Sequence, residues 1–325
     1  MAALLEVRDL QVSFVAGGGA RGLLKGVSLD VAPAEAVGIV GESGSGKTVL
    51  VRTILGLLDP PLRLDGGSVG FEGRNLLQLD EVSFRELRGR DIALTTPEPR
   101  KHLNPLISIG EQLGNVIRAH QDVSRSAARE RALELLRAVG IPDPERRLAA
   151  YPHELSGGMC QRVIIAMALA HHTKLLLVDE PTAGLDVTIS RQILDLMHDL
   201  ARSHGTALVL VSRDLGVVAH YCQRIAVMYD GRIVEEASID DFFARPIHPY
   251  SRQLLRAAAA SRDRARQARA GGSGEPAADG CAFRLRCPIA LPVCAQAAPG
   301  LERWSERRLA RCHRAGELLT EEVAA

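Results

Sequence analysis

Short apolar runs alternate along the chain with longer segments in which apolar residues recur every three or four positions. Residues 4–14 and 27–31 alternate apolar and polar residues, which predicts two strands joined by a turn or loop at GGGARG. The runs AVGIV (36–40), LLLVD (175–179) and ALVLVS (207–212) are short and almost wholly apolar, which is typical of buried strands. The pattern therefore predicts a sheet whose central strands are covered on both faces.

Two segments have the spacing of amphipathic helices. Residues 124–140 repeat apolar positions at helical spacing. Apolar residues between 189 and 200 form one face of a second helix, which is predicted to end at Gly205. Farther on, RIAVMYDGRIVEE predicts two strands joined by a turn at Asp230–Gly231. Strands that alternate with helices predict an α/β fold class with a mostly parallel sheet.

The composition is that of an ordinary globular protein, with 46% hydrophobic and 24% charged residues among 325. This length predicts one large domain or two modest ones. Aromatic residues are only 3%, so the core must be built from Leu, Val, Ile and Ala. The 40 basic and 39 acidic residues nearly cancel, and a formal net charge of +1 gives no support for nucleic acid as a partner.

The N-terminal sequence MAALLEVRDL carries charges of both signs and lacks the pattern of a signal peptide. No uninterrupted apolar run approaches the roughly 20 residues of a membrane-spanning helix. The chain is therefore expected to be cytosolic, and a role in membrane transport would require partners that span the membrane.

The sequence GESGSGKT (41–48) lies between a predicted buried strand and a helical stretch, as a phosphate-binding loop requires. In such a loop, glycines let backbone N–H groups approach the phosphates, the lysine reaches the terminal phosphates and the last hydroxyl can bind magnesium. A chance Gly- and Ser-rich turn would not need this context. The candidate nucleotide-binding residues are Gly41, Ser43, Gly44, Ser45, Gly46, Lys47 and Thr48, and Thr48 is also a candidate magnesium ligand.

Two carboxylates end the apolar run in LLLVDEP, about 130 residues after the phosphate loop. Strands often end in solvated charged residues, so the two carboxylates indicate nucleotide chemistry only because a phosphate loop precedes them. In a nucleotide-hydrolysing protein the aspartate, here Asp179, holds magnesium directly or through water. The glutamate, here Glu180, can polarise the attacking water and is the candidate catalytic residue.

The sequence ELSGGMCQR (154–162) places Ser156, Gly157 and Gly158 at the start of a helix, where amides and the helix dipole favour an anion. A simple helix cap would explain this motif in isolation. The order GESGSGKT, LSGGM, LLLVDEPTAGLD is much more specific, and it resembles the ABC ATPase family. The resemblance implies ATP and Mg²⁺ as ligands, with each ATP held between one subunit's phosphate loop and the LSGG signature of the other.

Three further segments resemble the ATPase subunits of dipeptide, oligopeptide and nickel importers: HLNPLISIGEQL (102–113), RPIHPYSRQLL (245–255) and GCAFRLRCPIALPVC (280–294). The resemblance runs from Leu4 to about His313. It implies a second, homologous ABC ATPase subunit, two transmembrane permease subunits and, indirectly, an extracytoplasmic substrate-binding protein. The chain would then lie peripherally at the cytoplasmic face of the plasma (inner) membrane. Peptide is the favoured cargo, with a nickel chelate or another small solute left open.

The expected organisation follows from this resemblance and from a change in composition near the C-terminus. Residues 1–257 would form the ABC ATPase domain, with a phosphate-loop core sheet, an antiparallel β subdomain and a helical subdomain at about 85–165. Residues 258–279 are rich in Ala, Arg and Gly and predict a linker. Residues 280–325 would form a small Cys-rich C-terminal module.

The cysteines of that region, Cys281, Cys287, Cys294 and Cys312, are separated by five, six and seventeen residues. In a cytosolic protein this grouping favours a metal site over disulfides, and soft sulfur ligands suit zinc or an iron–sulfur cluster. The resemblance implies a 4Fe-4S cluster, with Zn²⁺ as the alternative and unligated thiols as the remaining possibility. His313 is expected to support a ligand or lie at the surface rather than bind metal.

Phe14 lies upstream of the phosphate loop, where the family often places an aromatic ring against adenine. A core strand aromatic is an equal alternative at this position.

Two positions depart from the family pattern, and both fall on its catalytic apparatus. Pro97 stands where the family has a glutamine that contacts magnesium and the attacking water. Proline has no side-chain donor or acceptor and no backbone N–H. Arg213 stands where the family has a histidine that contacts the terminal phosphate and helps orient the catalytic glutamate. An arginine there could bind phosphate, but it would also compete for Glu180 as a salt-bridge partner. The site is therefore expected to bind Mg-ATP and hydrolyse it slowly.

Two alternative functions remain open at this point. The first is a regulatory partner that binds ATP with little hydrolysis, although Lys47, Asp179 and Glu180 are intact. The second is a non-transport ABC ATPase of DNA repair or translation, which would typically carry tandem ATPase halves, long coiled-coil inserts or nucleic-acid-binding domains. The sequence has none of these.

Overall fold

The structure, a computed structural model, describes residues 2–259 and 280–320. The strands are β1 (Leu5–Ala16), β2 (Gly19–Val31), β3 (Ala36–Val40), β4 (Leu62–Phe71), β5 (Arg74–Asn75), β6 (Ile92–Thr95), β7 (Leu175–Asp179), β8 (Ala207–Ser212), β9 (Arg224–Tyr229), β10 (Arg232–Ser238), β11 (Glu302–Ser305) and β12 (Arg308–Ala310). The helices are α1 (Lys47–Ile54), α2 (Glu81–Leu87), α3 (Pro99–His102), α4 (Ile109–His120), α5 (Arg125–Ala138), α6 (Pro144–Leu148), α7 (Gly157–Ala168), α8 (Val187–His204), α9 (Leu215–Tyr221), α10 (Ile239–Ala244), α11 (Pro249–Ala259), α12 (Val293–Gln296) and α13 (Ala315–Thr320).

The chain divides into two compact units. The first contains Val31–Glu35 and Gly70–Leu210 together with the N-terminal residues up to Leu5. Within it, β6 and β7 are parallel, with Ile92 opposite Leu175, and every residue of β7 is buried. Helices α4, α5 and α7 pack against one another, and α7 also packs against β6. The apolar run 175–179 is therefore a core strand, as its composition predicts.

The second unit contains Glu6–Asp30, Ala36–Val69 and the chain from Val211 onwards. Five of its strands form a sheet in the order β11-β12-β10-β9-β3, in which β3 is parallel to β9 and the other neighbours are antiparallel. All of β3 is buried, and α9 packs on it closely enough that a Cβ at Gly38 would lie 2.2 Å from Cγ1 of Val218. The glycine inside this strand is thus required by the close approach of a helix.

Three local predictions can be compared with the structure. The turn at Asp230–Gly231 is confirmed, and both residues have positive φ, as a tight hairpin between β9 and β10 requires. The predicted turn or loop at GGGARG is confirmed in place but is shorter than predicted, because β1 and β2 extend through most of it and leave only Gly17–Gly18 as the turn. The predicted helix end is confirmed, since α8 ends at His204 with Gly205 as its C-cap. Ile193 of the predicted apolar face is buried, but the other buried side chains of α8 are Leu194, Met197 and Ala201.

The predicted Cys-rich C-terminal module is not supported. Residues 280–320, called here the C-terminal segment, belong to the second unit, and β12 extends its sheet by pairing Ala310 with Glu235 of β10. Ile247, which precedes α11, shares a buried cluster with Ala310, Ala315 and Leu318 of the segment. Backbone pairing and a shared core thus join the segment to the ATPase fold. Of the predicted linker 258–279, residues 258–259 end α11 and residues 260–279 lie outside the described residues.

In the part of the chain that the structure describes, no helix combines the length and the apolar character needed to cross a membrane.

A buried carboxylate anchors the start of α11. Glu235 of β10 is fully buried, and its two oxygens accept the N–H groups of Ile247 at 2.8 Å and His248 at 2.9 Å. The Nδ1 atom of His248 accepts the N–H of Tyr250 at 3.0 Å, and burial lowers the pKa of His248 to about 3, so the ring is neutral near neutral pH. The sequence His248–Tyr250 is therefore fixed against β10.

Glu235 is expected to make the stability of this region depend on pH. Burial raises its pKa from 4.5 to about 7, so the folded protein keeps a proton that the unfolded chain has lost. The stabilising contribution of the group is complete below pH 4.5 and is lost as the pH rises through 7. We expect the wild type to lose about 3 kcal/mol of unfolding free energy relative to Glu235→Gln between about pH 5 and pH 8.

Urea unfolding followed by the fluorescence of Trp304, the single tryptophan, measures this difference, since Trp304 packs against the cluster containing Ile247. His248 titrates with the opposite sign, because its lowered pKa means that stability is lost as the pH falls from 6.5 towards 3. His248 and the nearby Arg308 are present in both proteins, so the comparison isolates Glu235. A difference between the two proteins that does not change with pH would contradict this prediction.

Candidate nucleotide-binding site

The phosphate loop connects β3 to α1, as the sequence predicts. Lys47 is the first residue of α1 and is only 5% exposed. Its Nζ donates to the carbonyl oxygens of Gly41 at 2.8 Å and Glu42 at 2.9 Å, and lies 3.3 Å from Oγ of Ser45. The loop thus closes around a buried ammonium group at the N-terminus of a helix, where backbone N–H groups and the helix dipole favour a phosphate.

Two glycines of the loop are required by its close packing on strands of the second unit. A Cβ at Gly41 would lie 2.2 Å from the carbonyl oxygen of Met228 in β9. Gly46 has a φ of 103°, and a Cβ there would lie 2.9 Å from Cδ2 of Leu24. The glycines therefore let the backbone follow a path that other residues would block, which is the property that a phosphate-cradling loop needs.

Two other predicted ligands of this unit are accessible. Thr48 is exposed on the first turn of α1, and its hydroxyl oxygen is of the hard type that Mg²⁺ prefers. Phe14 of β1 is 41% exposed, which is incompatible with a core aromatic. An exposed ring upstream of a phosphate loop is able to stack on a base.

The predicted carboxylates lie in the first unit, at the end of β7. Asp179 is the last residue of this buried strand and is itself buried. Glu180 follows at a φ of 44°, in the left-handed region that a residue with a side chain rarely occupies. Such strained residues cluster at functional sites, which is in keeping with the role predicted for Glu180. The carboxylate of Asp179 is a hard oxygen donor of the kind that Mg²⁺ prefers.

The LSGGM signature opens α7 in the first unit. Ser156 is its N-cap, and its Oγ accepts the N–H of Met159 at 3.2 Å. A Cβ at Gly158 would lie 2.8 Å from Cγ2 of Ile189 in α8, and one at Gly157 would lie 3.5 Å from Leu185. Gly158 thus allows the start of α7 to pack closely on α8. The helix start keeps N–H groups that could meet an anion.

The two residues that depart from the family pattern both lie within two residues of the end of a core strand. Pro97 lies in a bend after β6, and Glu98 beyond it has a φ of 61°. Arg213 is exposed and follows Ser212, the last residue of β8. Each residue therefore lies in a loop at the carboxyl end of a strand, which is where α/β proteins carry their ligand-binding residues.

Sequence reasoning missed the residues that hold Glu42, the second residue of the phosphate loop. Its N–H donates to the hydroxyl of Tyr250 at 2.9 Å, and its carboxylate receives two hydrogen bonds from the guanidinium of Arg286. The HPY sequence was recognised as a family feature, but nothing in it indicates a contact with a loop about 200 residues earlier. Only the charge pair of Glu42 and Arg286 could have suggested the contact, and many surface charges would have competed.

The predicted iron–sulfur cluster or zinc on Cys281, Cys287, Cys294 and Cys312 is not supported. Among residues 2–259 and 280–320, no group of three or more His, Cys, Asp or Glu side chains could hold a metal ion. The cysteines are free, and burial, with smaller contributions from the other three thiols, raises the pKa of Cys312 to about 11. Nε2 of His313 lies 3.1 Å from the carbonyl oxygen of Ala297, and the side chain is exposed.

The chain is similar to known protein families and to individual proteins over most of its length. The family model "ABC transporter" matches residues 24–183, and "Oligopeptide/dipeptide transporter, C-terminal region" matches residues 234–294. The probable peptide ABC transporter ATP-binding protein y4tR of Sinorhizobium fredii is 48% identical over 324 residues, covering 97% of this chain and 96% of that protein. The dipeptide transport ATP-binding protein DppD of Escherichia coli is 42% identical over 315 residues, covering 96% of each.

A solved structure extends this likeness to the fold. The dimeric post-hydrolysis structure of the ATP-binding cassette MJ0796 with ADP and phosphate matches with a TM-score of 0.65 and 28% identity, covering 72% of this chain and 98% of that one. The fold is thus that of an ABC ATPase cassette, with a phosphate-loop sheet and an antiparallel sheet. With relatives at this identity over nearly its whole length, the chain belongs to the ABC transporter ATP-binding subunits of the dipeptide and oligopeptide group.

Proposed function

We propose that this chain is the ATP-binding subunit of an ABC importer of peptides and supplies energy by binding and hydrolysing Mg-ATP. The observation that carries the proposal is the closed phosphate loop at the start of α1, with the ammonium group of Lys47 buried among its carbonyl oxygens. The named peptide and dipeptide transport relatives support the choice of cargo.

In the proposed site, Lys47 and the loop N–H groups bind the phosphates of ATP, and Phe14 stacks on adenine. Gly41, Ser43, Gly44, Ser45 and Gly46 provide the close backbone approach. Thr48 and Asp179 hold Mg²⁺, which neutralises charge on the phosphates. Glu180 positions the attacking water and accepts its proton. Ser156, Gly157 and Gly158 complete the site of a partner ATPase subunit, so that ATP is bound at a dimer interface.

We further propose that the chain's own site turns over slowly. Pro97 cannot offer the amide that would orient water and magnesium, and Arg213 offers a permanent cation where a neutral imidazole would help orient Glu180. A positioned general base contributes about 100- to 10,000-fold to the rate, so a misplaced base slows hydrolysis while ATP binding persists. Most turnover would then occur at the partner's site. These same two residues favour a second candidate function, an ATP-binding regulatory partner with little hydrolysis of its own.

The partners in this proposal are a homologous ATPase subunit, two transmembrane permease subunits and an extracytoplasmic binding protein that does not touch this chain. The chain would act at the cytoplasmic face of the plasma (inner) membrane. Residues 1–257 would be the ATPase domain, with a helical subdomain at about 85–165. An iron–sulfur cluster is not part of this proposal, because the described residues contain no group of three or more His, Cys, Asp or Glu side chains that could hold it.

Uptake in cells tests the cargo and the energy role together. Cells lacking the gene would be supplied with wild-type protein or with Lys47→Ala, and the uptake of a labelled dipeptide and of labelled nickel would be measured. We expect only the wild type to restore dipeptide uptake, with nickel uptake unchanged. If the wild type restored nickel uptake alone, the cargo would be nickel and the proposal of a peptide cargo would be wrong. Full restoration by Lys47→Ala would refute the energy role.

A further inference from the structure

We infer that Arg286 of the C-terminal segment is a positioning residue for nucleotide binding, and that it acts through Glu42 of the phosphate loop. The inference rests on the proposed function, because it assigns the C-terminal segment a role in how the loop receives nucleotide. All the residues involved belong to the second unit.

Arg286 and Glu42 form a bidentate ion pair. Nη2 of Arg286 donates to Oε1 of Glu42 at 2.8 Å, and Nη1 donates to Oε2 at 3.0 Å. The side chain of Arg286 is 21% exposed and that of Glu42 is 45% exposed. Two parallel hydrogen bonds fix the carboxylate in direction as well as distance, which a single exposed ion pair does not do.

Arg286 is itself held in place by aromatic rings. Its guanidinium carbon lies 5.7 Å from the ring centre of Tyr229 and 5.6 Å from that of Phe283. Phe283 is buried, and its ring centre lies 5.3 Å from Tyr229 and 5.5 Å from Tyr250. A guanidinium placed over aromatic faces is stabilised by the negative faces of the rings. Glu42 therefore meets a donor that is already oriented.

Glu42 is fixed by three different groups. Its N–H donates to the hydroxyl of the buried Tyr250, its carbonyl oxygen accepts from Lys47 and its carboxylate pairs with Arg286. By contrast, a Cβ added at Gly44, in the middle of the loop, would meet nothing within 4 Å. The loop is thus tied down at Glu42 and open at Gly44, where phosphate would approach.

This arrangement has two effects on an incoming phosphate. A loop held in one conformation loses less entropy when nucleotide binds, and binding is correspondingly tighter. Arg286 also neutralises the carboxylate of Glu42, which would otherwise repel the phosphates from within the loop. Loss of Arg286 should therefore weaken nucleotide binding chiefly because it leaves the charge of Glu42 without its partner.

A double-mutant cycle on the full chain tests the inference. The dissociation constants of Mg-ADP and of the non-hydrolysable analogue Mg-AMPPNP are measured by titration calorimetry for wild type, Arg286→Ala, Glu42→Gln and the double variant. We expect Arg286→Ala to weaken binding about threefold to tenfold in the wild-type background and less than about twofold in the Glu42→Gln background. Arg286→Lys should recover part of the loss, because it restores the charge without the bidentate geometry.

The control is Arg284→Ala. Arg284 lies two residues before Arg286, and its Nη1 donates to the carbonyl oxygen of Cys281 instead. It should leave nucleotide affinity unchanged, and thermal unfolding followed by Trp304 should show that each variant is folded. Equal weakening by Arg286→Ala in both backgrounds, or none in either, would overturn the inference. If the wild type binds no better than Lys47→Ala in the same titration, the proposed function fails and the inference with it. Wild-type binding without the predicted cycle would overturn the inference alone.

Discussion

Replacement of Lys47 by alanine is expected to lower the affinity for Mg-ATP about 100-fold and to abolish hydrolysis. The ammonium group is buried in the phosphate loop and donates to the carbonyl oxygens of Gly41 and Glu42. Loss of a hydrogen bond to a charged group costs about 1.5–3 kcal/mol, and 1.4 kcal/mol corresponds to a factor of ten in affinity. Titration calorimetry with Mg-AMPPNP and steady-state ATPase assays measure the two effects.

The matched control for Lys47→Ala is Lys174→Ala. Lys174 is 44% exposed, pairs with Glu72 and Asp91 in the first unit, and has no part in the proposed site. We expect it to leave nucleotide affinity unchanged. An affinity for Mg-AMPPNP in Lys47→Ala equal to that of the wild type would mean that nucleotide, if bound, is bound elsewhere.

The double substitution Pro97→Gln plus Arg213→His is expected to raise ATP turnover at least about tenfold. The amide supplies a group that can orient water and magnesium, and the imidazole can contact the terminal phosphate without drawing Glu180 into an ion pair. Steady-state ATPase of the chain alone measures the change, because in the complex the partner's site would supply most of the turnover. Each single substitution is expected to give a smaller gain than the pair.

Glu180→Gln provides the control for that gain. Added to the double substitution, it should return turnover to the wild-type rate, because the gain depends on this carboxylate. In the wild-type complex, Glu180→Gln should lower ATP turnover only slightly, whereas the corresponding change in the partner ATPase should remove most of the turnover. The opposite outcome is a high wild-type ATP turnover that depends on Glu180 and is not raised by the double substitution. It would mean that other groups compensate for Pro97 and Arg213.

The parts of the site that are local in sequence could be predicted from it. The phosphate loop, the strand ending in Asp179 and the turn at Asp230–Gly231 all follow from short patterns whose residues have a direct steric or chemical reason. The length of β1 and β2 could not be predicted, because pairing between the strands overrode the loop-forming tendency of the glycines between 17 and 22.

Contacts between residues that are distant in the chain could not be predicted from the sequence. The ion pair of Glu42 and Arg286 joins residues separated by 244 positions, and it exists because the C-terminal segment packs within the second unit. The same packing explains why the prediction of a separate Cys-rich module fails, since β12 is a strand of the sheet that contains β10. A count of cysteines and their spacing holds no information about such pairing.

Reconstitution tests the central claim most directly. The chain would be assembled with its partner ATPase, permease subunits and binding protein in proteoliposomes, and uptake of a labelled dipeptide would be followed with Mg-ATP on the side of the ATPases. We expect uptake to require both ATP and this chain, and to be lost when Lys47→Ala takes its place. Uptake that proceeds equally without the chain, or with Lys47→Ala in its place, would contradict the claim that this subunit supplies the energy.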